Sequence, residues 1–140
     1  MNGVTFGTHH SFRSWGLMLT KLPIVSKPEP KLKLVEVPGS NVVLDLTESL
    51  SGTVTYGQRE LVCEFVTAES RSKWAELHSQ IMNAIHGKRL NIVLDHDLDY
   101  YWTGRVTVGD FEPDKKTATL TITATVEPYK HHRHKSGVKL

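Results

Sequence analysis

Residues 117–126 read TATLTITATV, and this stretch decides the fold because its two faces differ completely. Side chains that alternate with a period of two are typical of a β-strand. The odd-numbered positions are all threonine, and the even-numbered positions are Ala118, Leu120, Ile122, Ala124 and Val126. One apolar face and one hydroxyl face predict an antiparallel sheet that is buried on one side and solvated, or in polar contact, on the other.

Other segments of the sequence are also predicted to be strands. A first strand interrupted at Pro23 is predicted within Ser14 to Val25, and the ten residues at the amino terminus suggest an irregular arm. Residues 112–116 suggest a hairpin loop, and Pro38-Gly39 a turn. The other alternating runs are Leu32 to Val37, Val42 to Leu46, Leu61 to Phe65, Leu90 to Leu94 and Tyr100 to Val108.

One helix is predicted at about 70–86. Its apolar residues are spaced to form a single stripe, with Ser70 at the N-cap position and Gly87 just after the last turn. One helix among some eight strands predicts a β-rich α+β domain, an antiparallel β-sandwich or partly closed barrel. The stripe that would cover the sheet is Trp74, Leu77, Ile81, Met82 and Ile85.

Composition excludes several classes of protein. A chain of 140 residues with 39% apolar content predicts one soluble domain with a real core. No window approaches the roughly 18 apolar residues of a membrane span, and Met1 to His10 lack the pattern of a signal peptide. The lone Cys63 predicts a protein that folds in a reducing cytoplasm.

The net charge of +2 hides an asymmetry. After the last acidic residue, Glu127, come four basic residues, and without them the chain has 13 basic and 15 acidic residues, a charge of −2. A body of that sign is a poor general binder of nucleic acid. We therefore divide the chain into a domain at 1–130 and a basic, His-rich tail at 131–140.

Two groups could bind a metal. Asp95, Asp97 and Asp99 have the spacing that opens a calcium loop, but Tyr100 and Val106 replace the required glycine and glutamate. An exposed loop is therefore the prediction, with a weak cation site as the alternative. The histidines of the tail and of the His9-His10 pair lack a full ligand set, although metal or polyanion binding by the tail stays open. The tail histidines are His131, His132 and His134.

No catalytic constellation is present, so we predict neither an enzyme nor a cofactor or metal. Cys63 has the inward phase of a strand, where a thiol is inert. Tyr100-Tyr101-Trp102 is the densest aromatic group, and two interpretations remain open: core and rim packing, or an interface that stacks on carbohydrate or protein. A metal-dependent hydrolase built on the Asp95–Asp99 loop and the tail histidines is the least supported alternative.

The order of motifs resembles the amino-terminal domain of the siphophage distal tail protein family. The resemblance covers roughly residues 7–130. Its most specific parts are the helix end Ile85-His86-Gly87-Lys88, the strand Tyr100 to Val106 and the closing Glu127-Pro128-Tyr129-Lys130. The other matching segments are Gly7 to Ser11, Trp15 to Leu17, Val35 to Ser40, Val43 to Leu46, Tyr56 to Arg59, Cys63 to Phe65, Ile92 to Asp95 and Leu120 to Ile122.

The resemblance implies a fold related to tail-tube folds and a structural role in the virion. Members form a ring, most often of six copies, that joins the tail tube to the tip or baseplate hub. DNA passes through the ring without specific binding, no membrane is involved, and assembly takes place in the bacterial cytoplasm. Larger members continue into a second domain after the segment that matches Pro128 to Lys130, whereas this sequence ends at Leu140.

For the contact between copies we predict Phe6, Phe12, Trp15 and Tyr101, since large rings in irregular or outward positions anchor interfaces. Ring subunits meet head to tail in a contact that closes by rotation. The alternative function is a monomeric carbohydrate- or protein-binding module that uses Tyr100 to Trp102.

Overall fold

The computed structural model describes residues 3–32, 34–36, 38–39, 43–45, 56–114 and 116–133. Val42, Leu46 and His134, which belong to predicted elements, lie outside these residues. The strands are β1 Val4–Phe6, β2 His9–His10, β3 Met18–Leu19, β4 Ile24–Val25, β5 Leu34–Glu36, β6 Val43–Asp45, β7 Arg59–Thr67, β8 Arg89–Leu94, β9 Tyr100–Val108, β10 Glu112–Asp114, β11 Thr117–Val126 and β12 His131–His132.

Two α-helices accompany these strands. Helix α1 is Ser11–Trp15 and helix α2 is Trp74–Ile85, which a short 3-10 turn at Arg71–Lys73 precedes. A second 3-10 turn, Asp95–Asp97, follows β8. The predicted helix at about 70–86 is therefore confirmed, and Gly87 follows it with a positive φ of 75°.

Ten strands form one antiparallel sheet with the order β2-β1-β8-β9-β11-β7-β3. Strands β4, β10 and β12 pair with β7, β11 and β9 respectively, while β5 and β6 form a separate two-stranded hairpin. The alternation in β11 is confirmed, because Leu120 and Ile122 are buried and the threonines between them keep part of their surface exposed. The β-rich α+β class is likewise confirmed.

The sheet must curl, because a short segment joins its two edges. His10 ends β2 at one edge and Met18 begins β3 at the other. A flat sheet in this order would place those edges ~29 Å apart at the usual strand spacing. The connecting residues, with α1 helical, can span no more than ~18 Å. The architecture is therefore closer to a partly closed barrel than to a sandwich, with α1 bridging the open side.

The core lies inside this curl and under α2. The helix turns Leu77, Ile81 and Ile85 towards it. Gly104 on β9 allows β9 to approach β11 closely, since a Cβ there would lie 2.7 Å from the Cα of Val126. The buried residues contributed by the long strands include Leu61, Cys63, Phe65, Ile92, Trp102, Val106, Leu120 and Ile122.

The amino-terminal residues differ from the sequence prediction. Instead of an irregular arm they form β1 and β2, and Val4 and Phe6 are almost completely buried. Strands of two or three residues are too short for a period of two to be recognised. The neighbouring strand predicted from Ser14 is also wrong in its first part, where α1 forms.

Three further features bear on the sequence prediction for these short segments. Helix α1 ends at Gly16, which takes a left-handed φ of 68°. The interruption predicted at Pro23 is confirmed, because it lies between β3 and β4. Part of the predicted 112–116 loop is strand β10, whose Pro113 pairs with Ala118. Strand β10 pairs with β11 alone, and proline is tolerated in an edge strand because its missing N–H can face away from the ladder.

Candidate interaction surfaces

Exposed apolar side chains are concentrated in one part of the chain. Among the described residues, eight large apolar side chains are exposed, and six of them lie between residues 18 and 43 with exposures of 38% to 60%. We call these six the exposed apolar segment. Such a concentration makes this segment a candidate interaction surface. Its members are Met18, Leu22, Ile24, Leu32, Leu34 and Val43.

The part of this segment on β3 and β4 joins the outer face of the sheet. Met18 pairs with Val66 and Ile24 with Val62, so these four side chains share a face. Across β7, the same face continues into the threonines of β11, with Thr123 directly opposite Val62. Glu60 and Glu64 of β7 lie on the same face, where Glu64 accepts a hydrogen bond from Thr20 at 2.7 Å. The face therefore combines apolar and hydroxyl groups with two carboxylates.

The four residues predicted for the subunit interface occupy different environments. Phe6 is 1% exposed and packs edge-on against Phe65 at 6.4 Å, and Trp15 is 7% exposed and stacks on His9 at 5.5 Å. Phe12 and Tyr101 are only partly buried. The structure does not bring the four together at one surface. Phe12 and Tyr101 keep exposed surface that a partner could contact. An interface role for any of the four stays a prediction.

A groove of about 520 Å³ lies between α1 and α2. Phe12, Trp15 and Leu77 supply its apolar surface. Its rim carries both signs of charge, from Arg13, Lys73, Glu69 and Glu76. Two of the predicted interface residues therefore line one concave surface, which the sequence pattern did not reveal because the short helix α1 was not predicted.

Residues 127–133, here called the carboxy-terminal segment, lie against β9 rather than extending away as a tail. His131 pairs with Tyr101 in the sheet and stacks on its ring at 5.2 Å. The Lys130 ammonium donates to Asp97 at 2.6 Å and lies 4.3 Å from the centre of the Tyr100 ring. The division predicted at residue 130 stays a prediction, and His131 and His132 just after it pair with β9.

Polar contacts extend this segment towards β8. Glu127 accepts hydrogen bonds from His131 at 2.9 Å and from Arg89 at 2.8 Å. The hydrogen bond from His131, helped by the charge of Arg89, lowers the pKa of Glu127 below its ordinary value of 4.5. All three side chains are substantially exposed, so these contacts are weak compared with core packing.

The aromatic group on β9 has partners within the chain. Trp102 is 6% exposed, and the Arg59 guanidinium lies 5.0 Å from the centre of its ring. His131 stacks on Tyr101, and Lys130 and His132 lie against Tyr100. This arrangement favours the interpretation as core and rim packing over an open platform for stacking on a sugar.

The groups with potential chemistry are held apart. Asp95 bonds to His10, whereas Asp97 bonds to Lys130, so the carboxylates of the acidic loop face different partners. Among the described residues, no group of three His, Cys, Asp or Glu side chains is placed to hold a metal ion.

Burial raises the pKa of the Cys63 thiol to about 12, which leaves it protonated at neutral pH. No helix in the described part of the chain has the length and apolar character needed to cross a membrane.

Comparison with solved structures gives a counterpart for the fold. No family model matches the sequence, and no curated protein does. The fold is similar to that of the Dit protein (gp 19.1) of phage SPP1, whose structure is described as "a Paradigm of Hub Adsorption Apparatus in Gram-positive Infecting Phages". The TM-score is 0.70 at 12% sequence identity, over 94% of this chain.

The predicted resemblance to a distal tail protein is confirmed at the level of the fold. This chain spans about half of the SPP1 Dit protein, 52% of its length. At this sequence identity the similarity establishes the architecture and leaves the function to be inferred from surfaces.

Proposed function

We propose that this protein is a structural, non-enzymatic subunit of a siphophage tail that associates with copies of itself into a ring of six. The observation that carries the proposal is the fold shared with SPP1 Dit over 94% of the chain. In this role the ring joins the tail tube to the tip or baseplate hub. The protein would belong to the virion and assemble in the host cytoplasm.

The exposed apolar segment supports self-association. Burying a fully exposed large apolar side chain contributes about 1.5–3 kcal/mol. The six side chains are 38–60% exposed in the single chain, so covering the rest of each would contribute roughly half of that. The β5–β6 hairpin adds to this argument, because an isolated two-stranded hairpin is at best marginally stable in water. A head-to-tail ring covers two different surfaces on every copy, which suits an apolar segment divided between a sheet edge and a hairpin.

Charge supports passage of DNA without specific binding. Two cations close to β8 and β9 are engaged within the chain, Arg89 with Glu127 and Lys130 with Asp97. The sheet face of β11 presents threonine hydroxyls rather than cations. Cations that are already paired attract phosphates less strongly than free ones, as a channel that must release DNA requires.

Size measurement tests the proposal directly. The full-length protein is examined by light scattering and negative-stain microscopy, alone and together with its tail-tube protein. We expect rings of six copies, and Leu22→Asp combined with Ile24→Asp should dissociate them because carboxylates would be buried in the contact. Leu98→Asp is the matched control, since Leu98 is 55% exposed but lies outside the apolar segment.

The outcomes separate the proposal from its alternatives. Rings that the control retains and the double variant loses support both the role and the surface. Rings that survive both variants keep the role but place the contact elsewhere. A protein that stays monomeric at high concentration and with the tube protein present contradicts the ring.

A further inference from the structure

His10 joins three elements at one end of the barrel. It ends β2, precedes α1 and is 5% exposed. Its ring packs against Gly3, where an added Cβ would lie 2.7 Å from the ring carbon Cε1. Its Nε2 lies 2.8 Å from Oδ2 of Asp95, the first residue of the turn after β8. The ring therefore has little freedom to move.

The backbone determines which ring nitrogen of His10 carries the proton. Nδ1 accepts from the backbone N–H groups of Phe12 at 3.1 Å and of Arg13 at 3.3 Å. A backbone amide can only donate, so Nδ1 must be unprotonated. The proton of the neutral ring then lies on Nε2, which donates it to Asp95. The imidazole thus serves as the N-cap of α1, a role more often filled by a short polar side chain.

The two contacts of His10 respond to acid in opposite ways. A proton on Nδ1 removes the acceptor and places an N–H against two N–H donors, so the cap on α1 is lost. The same proton gives the ring a positive charge, which strengthens its contact with the Asp95 carboxylate. We propose that His10 is an acid-sensitive latch that releases the first turn of α1 while it stays bound to Asp95.

The groups that face the ring come from two elements. The Asp95 carboxylate, on the turn after β8, faces Nε2, and the backbone N–H groups of Phe12 and Arg13 on α1 face Nδ1. The residues of β1, Val4 to Phe6, carry no charge, and the neighbouring His9 stacks on Trp15. Because two amide N–H groups point at Nδ1, any proton added to that nitrogen is coupled to the cap.

Release of the cap would reach the groove between the two helices. Phe12, Arg13 and Trp15 belong to α1 and line that groove. A looser first turn changes the shape of its wall, so the groove would differ between neutral and mildly acidic solution. The latch is independent of the ring proposal, since it depends only on contacts within one chain.

A second histidine supplies an internal control. His78 on α2 contacts the carbonyl oxygen of Gly109 through Nε2 at 2.7 Å. A carbonyl oxygen only accepts, so this bond requires a proton on Nε2 and persists in both charge states. His86 resembles His10, because its Nδ1 accepts from the Val108 amide at 3.0 Å. The free energy of unfolding in acid therefore cannot separate His10 from His86. The latch is tested by measuring individual amides near His10.

Amide hydrogen exchange, corrected for intrinsic rates, is compared between pH 7.5 and pH 5 in the full-length protein. We expect protection at Phe12 and Arg13 to fall about tenfold, the effect of losing roughly one hydrogen bond. Protection at the Asp95 amide, which donates to the Gly3 carbonyl at 3.1 Å, should stay constant. In His10→Asn, whose side chain caps a helix at any pH, the fall should disappear. His78→Gln should retain it.

Nitrogen chemical shifts of the wild-type His10 ring provide an independent check that needs no variant. At pH 7.5 they should show a protonated Nε2 and a bare Nδ1. The opposite tautomer overturns the latch, as does an equal fall in protection at Phe12 and Arg13 in His10→Asn. If that variant does not fold, the contrast in wild type decides: a parallel loss at Asp95 would mean general unfolding and no latch.

Discussion

The two ends of the described chain lie against the same pair of strands but are held by different forces. Residues 3–17 enter through β1, which pairs with β8, and their large side chains join the core. The carboxy-terminal segment pairs with β9 through β12, yet both residues of that strand are exposed. One end completes the fold, while the other is attached to a fold already complete.

This contrast follows from what each end contributes. The amino-terminal residues bring Val4, Phe6 and Leu17, which bury apolar surface. The carboxy-terminal residues bring Lys130, His131 and exposed charge pairs, which are worth at most about 1 kcal/mol each. Removing the first end should therefore cost far more stability than altering the second.

The largest effect should come from Phe6→Ala. Truncating a fully buried phenylalanine costs about 3–5 kcal/mol, because apolar contact is lost and a cavity remains. Tyr101→Ala, which removes the ring that His131 stacks on, should cost about 1 kcal/mol. Urea denaturation measures both. Equal losses would show that the two ends are held equally firmly, contrary to the comparison.

The rate at which a reagent labels the buried Cys63 thiol compares the two ends of the chain in kinetic terms. Its pKa of about 12 and its full burial mean that a thiol reagent at pH 8 reacts only after the core opens. We expect Phe6→Ala to raise the labelling rate more than about 100-fold, and Tyr101→Ala less than about tenfold. Rapid labelling of the wild type would mean that the core opens without unfolding.

The long elements could be predicted from the sequence because their periodicity extends over many residues. Strand β11 and helix α2 each repeat their pattern several times, so burial follows from spacing alone. Strands β1 to β4 have only two or three residues each and no measurable period. Strand β1 pairs with β8, and β3 and β4 pair with β7, so their positions depend on partners that are distant in the chain.

The candidate surfaces were harder to predict for a related reason. Leu32 and Leu34 have the alternation of a strand with an apolar face, and nothing in that pattern says whether another element covers it. Large rings near the amino terminus suggested an interface, whereas Phe6 and Trp15 found places in the core of the single chain. Exposure is a property of the assembled fold, so it required the structure.

The smallest expected effect concerns the attachment of the carboxy-terminal segment in acid. The pKa of Glu127 is below 4.5 in the folded chain, chiefly through its hydrogen bond from His131, so its stabilising contribution is complete above pH 4.5. That contribution is lost as the pH falls through the lowered folded value. The contact between the His131 and Tyr101 rings, followed by nuclear Overhauser effects, should weaken in that range while the core stays folded.

Glu127→Gln should weaken the same contact above that range, where wild-type Glu127 is charged, and remove its dependence on acid, because the amide carries no charge to lose. Glu76→Gln, which alters an exposed glutamate on α2 away from the segment, should leave the acid response unchanged. An acid response that survives Glu127→Gln would assign the attachment to other groups, such as the pair of Lys130 with Asp97. In either case the core should stay folded in this pH range, because the carboxy-terminal segment adds almost no buried apolar surface to it.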